Sequence, residues 1–219
     1  MDNSQFAKGQ NAKFKKGFER VIENRERWKN LKLRVGLYYD PLLKELNEHF
    51  KYEFFYLSFS EDYFEENESL NQNFIQLSMG SHPVGIISSI KNAENKKQSS
   101  IVTEKGGTLS FSQGPQGEVM VLIYSCQSDV FKYEDDYLVY GIYKTPEKIT
   151  ELKMKRIIKF YFKFMYITSI VGHATIYDRL LIGFVKMRGK FDLLKFGSTV
   201  LKIFKGLLGT TAQAKGLKN

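Results

Sequence analysis

The chain predicts an α+β fold: a mainly antiparallel sheet of about five to seven strands within residues 52–144, packed by N-terminal and C-terminal helices. Three observations carry this. Helical periodicity is confined to the two ends of the 219 residues, β-type alternation and turn signals crowd the middle, and strands do not alternate with helices as a parallel sheet would require. A hydrophobic fraction of 42% with 15% aromatic residues is enough for a real core.

Residues 5–30 read as a helix. At 100° per residue Phe14, Phe18, Val21 and Ile22 share one face, with Arg25 intruding on it. Lys13, Lys16, Arg20 and Arg27 fall opposite, and Glu19, Glu23 and Glu26 lie between. "LYYDPLLKELNEHF" predicts a second helix, with Asp40 as N-cap and Pro41 at the first helical position. "KYEFFYLSFS" then reads as an aromatic strand.

"EDYFEENES" (61–69) reads as an acidic, exposed loop carrying Glu61, Asp62, Glu65, Glu66 and Glu68. "NFIQLSMG" and "SHPVGIISSI" are strand-like, and "KNAENKKQSS" (91–100) is expected to be a mobile tip. In "TLSFS", Leu109 and Phe111 share one face and three hydroxyls the other. "EVMVLIYS" and "DYLVYGIY" are apolar on both faces, as a covered strand should be.

"TPEK" reads as a helix start, with Thr145 as N-cap and Pro146 first, in a helix of about 146–171. Its circumference is mostly apolar, with one basic edge of Lys155, Arg156, Lys159 and Lys163. "DRLLIGFVKMRGK" fits either helix or strand. "FDLLKFGSTVLKIFKGLLG" is an amphipathic helix over 191–208, with Phe196, Val200, Leu201, Phe204 and Leu208 on its apolar half.

The organisation is therefore a basic helical segment (1–36), an α+β core domain (37–189) and a basic amphipathic helix and tail (190–219). Residues 1–36 carry ten Lys/Arg against four Asp/Glu, and residues 186–219 eight against one. The intervening stretch carries fifteen against nineteen, so a mildly acidic body has two basic ends. Charge placed this way points to an anionic partner: a nucleic acid, an acidic protein surface or an anionic membrane surface. Oligomerisation is compatible with it.

Motifs for chemistry are sparse. Cys126 ends an apolar strand, where a buried, inert thiol is expected, and a lone cysteine supports neither a disulfide framework nor a multi-cysteine zinc site. His49, His82 and His173 lack metal-ligand spacing, and His82 before Pro83 reads as a turn residue. "EKGG" and "QGPQG" are turns, neither a Walker loop nor a dinucleotide fingerprint. No cofactor or metal is expected. "MDNSQFAKGQ" lacks the apolar core of a signal peptide, no run reaches the ~20 apolar residues of a bilayer crossing, and a cytoplasmic address is expected.

The expectation is a non-enzymatic binding or accessory subunit, engaging nucleic acid or a nucleic-acid-handling complex through its basic helix edges. Two alternatives accompany it: peripheral membrane association through helix 191–208, and an enzyme whose site is assembled from distant segments.

Overall fold

A computed structural model describes residues 3–50, 54–60, 73–91 and 97–215, with backbone only at 3, 50, 85, 86, 88–91, 97–100 and 196–215. The α+β class is as the sequence predicts, but the strands divide between two antiparallel sheets. Helix α1 (Asn3–Phe50) leads into β1 (Phe55–Phe59), β2 (Phe74–Met79), β3 (Ser81–Lys91) and β4 (Lys97–Lys105). Then come β5 (Thr108–Gln113), β6 (Val119–Tyr124), β7 (Gln127–Ser128) and β8 (Tyr137–Tyr143). A 3-10 turn (Pro146–Lys148), α2 (Glu151–Thr168) and α3 (Ile176–Lys215) complete the chain. The expected acidic loop 61–69 lies outside the described residues. So do 92–96 of the expected tip, while Lys97–Ser100 belong to β4.

The large sheet has the order β1-β2-β5-β6-β8. Alternation puts Phe55, Leu77, Leu109, Phe111, Val121 and Ile123 on one face, all buried. Both α1 and α2 cover that face. Tyr39 of α1 packs on Phe111 and donates its phenolic hydrogen to the Met154 carbonyl of α2, at 3.1 Å. Phe162 of α2 meets Phe55 edge-on, and Tyr161 donates to the Gly107 carbonyl at 2.9 Å. The opposite face carries a transverse row of hydroxyl residues, Tyr56, Ser78, Thr108, Tyr124 and Tyr137, one per strand. Within it Ser78 and Thr108 share a hydrogen bond of 3.0 Å.

The small sheet, β3-β4-β7, is a ribbon continuing from β2 and β5 at Gly80 and Gly106–Gly107. Its root is fixed by a fully buried carboxylate. Glu104 accepts from Ser169 Oγ at 2.6 Å and from the Ile170 amide at 2.8 Å, beyond the end of α2. His82 Nε2 lies 3.3 Å away.

Three sequence expectations fail locally. His82, expected in a turn, lies inside β3 opposite Glu104. Asp40 and Pro41 do not start a helix: α1 runs unbroken through Pro41. Pro41 removes the hydrogen bond to the Leu37 carbonyl, but both residues are exposed, so water can serve that carbonyl. The inward side, with Tyr39 and Leu43 buried, holds the helix together across the proline. Nor does Thr145 cap a helix reaching 171. It precedes only the 3-10 turn and its side chain makes no capping bond. Arg34 of α1 donates to the Pro146 and Ile149 carbonyls at 3.1 and 3.0 Å, and among the described residues the Pro146 carbonyl otherwise accepts only the 3-10 bond from the Ile149 amide. Helix α2 starts afresh at Glu151, where the Thr150 hydroxyl accepts from the Lys153 amide.

Candidate functional site

The eight basic residues singled out in the sequence fall into two groups. Lys13 and Lys16 on α1 are exposed, without a carboxylate partner among the described residues. Arg20 reaches only the neutral Gln116 Oε1, at 3.4 Å. Arg27 is committed, to Glu23 at 3.4 Å and Glu147 at 3.0 Å. On α2, Lys155, Arg156 and Lys159 are exposed and have no carboxylate partner among the described residues. Lys163 is bound to Asp178 at 2.6 Å and lies over the Tyr177 ring. The contact of Tyr39 with Met154 marks where α2 begins beside α1. Arg20 precedes Tyr39 by nineteen residues, about 28 Å along the helix axis. The two groups are thus separated by several screening lengths at physiological salt.

Of the titratable candidates, Cys126 and His82 are held in structural contacts. Cys126 is buried, its thiol directed to the Met165 carbonyl at 3.5 Å, and burial pushes its pKa up. His82 sits against Glu104, His49 is exposed in the last turn of α1, and His173 is exposed between α2 and α3. Among the described residues, no three His, Cys, Asp or Glu side chains are placed to hold a metal ion. The "QGPQG" turn is a docking point for α1. Gly117 has φ +77°, and a Cβ there would overlap Asn24, whose amide donates to the Gln116 and Lys144 carbonyls at 3.2 and 3.4 Å.

The largest feature was not singled out in the sequence. Helix α3 begins with a reciprocal cap: the Thr175 hydroxyl accepts from the Asp178 amide, and Asp178 accepts from the Thr175 amide. The helix then runs along the free edge of β8. Ile182, Val185 and Gly189 face the body, Arg188 donates to the Tyr140 carbonyl, and Lys186 pairs with Asp135. This contact shields an edge strand that would otherwise be open.

The other side of α3 is apolar and uncovered. Tyr177, Leu180, Phe184, Met187, Phe191 and Leu194 are each more than half exposed. Their spacing is an unbroken alternation of three and four residues, which places them within about 100° of arc. Arg179 and Lys190 follow one margin of the stripe, Arg188 and Lys195 the other. Asp178 and Asp192, the two carboxylates of residues 176–195, lie on the inward half of the helix, one buried and one half-buried. The sequence-predicted residues Phe196, Val200, Leu201, Phe204 and Leu208 follow in the same helix, where only the backbone is described.

Among the described residues, no helix is long and apolar enough to cross a membrane. No family model, curated protein or solved structure matches this chain.

Proposed function

We propose that this chain is a non-enzymatic, peripheral membrane-binding protein that lays the outer face of α3 on an anionic bilayer surface. One observation carries the reading: the exposed stripe from Tyr177 to Leu194 is bordered by Arg179 and Lys190 on one margin and, on the other, by Lys195 and by Arg188, which is bonded to the Tyr140 carbonyl, with no carboxylate on its side of the helix. An interfacial helix needs this arrangement, with apolar side chains entering the acyl boundary and Lys/Arg stems reaching the phosphates. Half-burying six such side chains gives a gross gain of roughly 5–9 kcal/mol before immobilisation costs. Each nearby cation adds about 1 kcal/mol on an anionic leaflet. A second copy of α3 suits the stripe less well, because pairing in either direction sets these cations against their own equivalents.

Flotation of the full chain with phosphatidylcholine vesicles, with and without phosphatidylserine, tests the reading. Wild-type protein is expected to float with the anionic vesicles and to be released by salt. A Phe184→Glu/Phe191→Glu variant with unchanged circular dichroism should stay at the bottom. No flotation at low salt, or flotation indifferent to the double substitution, overturns the reading.

A second reading, engagement of a nucleic acid or an acidic protein face, is favoured by the uncommitted cations of α1 and α2. Each group supplies only three: Lys13, Lys16 and Arg20, or Lys155, Arg156 and Lys159. Three neutralised phosphates give a log–log salt slope of about −2.7 on duplex DNA, well short of a tight binder. Anisotropy titrations with duplex and single-stranded oligonucleotides at two salt concentrations measure it. Binding with that slope, lost on Lys155→Glu/Arg156→Glu, supports the second reading, and no binding at low salt removes it.

A further inference from the structure

Helix α3 changes its apolar side as it leaves the body. Ile182, Val185 and Gly189 form the line that rests on β8, the element against which α3 packs. By helical register Leu193, Phe196, Val200, Ile203 and Leu207 continue that line, keeping within about 80° of arc. The exposed stripe from Tyr177 to Leu194 is centred on the opposite half of the same helix. The apolar half expected over 191–208 is thus turned away from the stripe.

We infer that this distal seam, Leu193 to Leu207, is a dimer interface that takes the same segment of a second copy of the chain. Helix α3 follows β8 in the strand's own direction, from the Lys186–Asp135 pair to the close approach of Gly189 and Val139. Val139 stands four residues before β8 ends at Tyr143. Four strand residues advance about 13 Å, or roughly nine residues of helix. The seam therefore passes the end of β8 near Ser198, and Val200, Ile203 and Leu207 follow beyond it.

The course of the helix excludes a bilayer as the occupant. The seam is collinear with the contact on β8, so a flat surface laid along it would run into the sheet. A partner helix has no such conflict, because it can end where the body begins. The five seam residues are spaced three and four apart in strict alternation, as in a helix–helix interface.

Charge then favours a second copy. The positions beside the seam are Asp192, Gly197, Thr199, Phe204 and Gly206, with no cation among them. Lys195, Lys202 and Lys205 stand about 80° or more from its edges, on the half of the helix that carries the outer stripe. Two copies therefore join without opposing lysines, the conflict that counts against self-pairing of the stripe. An acidic partner would find no cation at the seam to meet it. The inference is independent of the bilayer reading: seam and stripe occupy opposite halves of α3, and one molecule can use both.

Sedimentation equilibrium of the full chain over a hundredfold range of concentration measures the mass directly. Twice the chain mass is expected at the upper end. Val200→Glu/Ile203→Glu, with circular dichroism unchanged, should hold the single-chain mass throughout, whereas Lys202→Glu on the opposite half should leave the dimer intact. Because Cys126 is buried and is the chain's one cysteine, Val200→Cys supplies a unique accessible thiol at the centre of the seam. Oxidation with diamide is expected to link it to its equivalent in the second copy. A chain that stays monomeric over this range, or a dimer indifferent to Val200→Glu/Ile203→Glu, overturns the inference. A monomer that still floats with anionic vesicles overturns this inference and leaves the bilayer reading standing, and a seam-dependent dimer that does not float does the reverse.

Discussion

Gly189 of α3 packs directly on the backbone of Val139 in β8: a Cβ at position 189 would overlap the Val139 carbonyl oxygen and crowd the Val139 side chain. Glycine is required there by space, not by a positive φ, and it sets how closely α3 lies on the sheet edge. Gly189→Ala must push the helix outward or distort the strand, and the obstacle is backbone, which cannot rotate away. A loss of roughly 1–3 kcal/mol is expected in denaturant melts. An unchanged midpoint would mean that α3 does not hold this position in solution.

The Lys163–Asp178 pair joins α2 to the first turn of α3. The hydrogen bond from Lys163, followed by those from the Thr175 side chain and amide, lowers the Asp178 pKa from 3.8 to about 2. A carboxyl with a depressed folded-state pKa contributes stability above its unfolded value and loses it as pH falls through the folded one. Wild-type protein should therefore exceed Asp178→Asn in stability at neutral pH, the gap closing between the ordinary value near 3.8 and about 2. A gap that persists unchanged at the acid end would show that the aspartate acts by shape alone.

Glu104 sits fully buried between the ribbon and the end of α2, accepting from Ser169 and Ile170 with His82 beside it. Glu104→Gln keeps the size but replaces an ionised acceptor by a neutral amide and brings an N–H toward existing donors. The expected cost is about 2 kcal/mol. Hydrogen exchange should localise it, with faster exchange at the Ile170 amide and in β4 near Lys105. Uniform acceleration across the sheet instead would contradict a local role for this contact.

Cys126 should resist thiol reagents at neutral pH, since burial both raises its pKa and blocks approach. Labelling by a disulfide reagent is expected to track unfolding, accelerating with denaturant along the same curve as global opening. Fast labelling in native buffer would mean that the strand end is open.

Much of the sheet was legible because its rules are local. Leu109 and Phe111 are one residue apart and both buried on the helix-covered face, as strict alternation demands. The helix boundaries were less legible because distant contacts settle them. Arg34 takes the carbonyls after Thr145, and Tyr39 and Leu43 carry α1 past a proline that locally reads as a start. The outer stripe of α3 escaped notice for a different reason. Ile182 and Val185 are apolar and face inward, while Leu180, Phe184 and Met187 are apolar and face out. A helix apolar on opposite sides shows little amphipathic contrast, so two separate surfaces merge into one undirected hydrophobic run. The regular spacing from Tyr177 to Leu194 was the signal that could have separated them.

The forty-eight residues of α1 form an uninterrupted rod of about 72 Å, several times the length of the strands it crosses. Such an outrigger raises hydrodynamic friction out of proportion to mass. A monomer carrying it will leave a gel-filtration column with larger globular standards, and an elution volume interpreted as a dimer says nothing of subunit count until the mass is weighed directly.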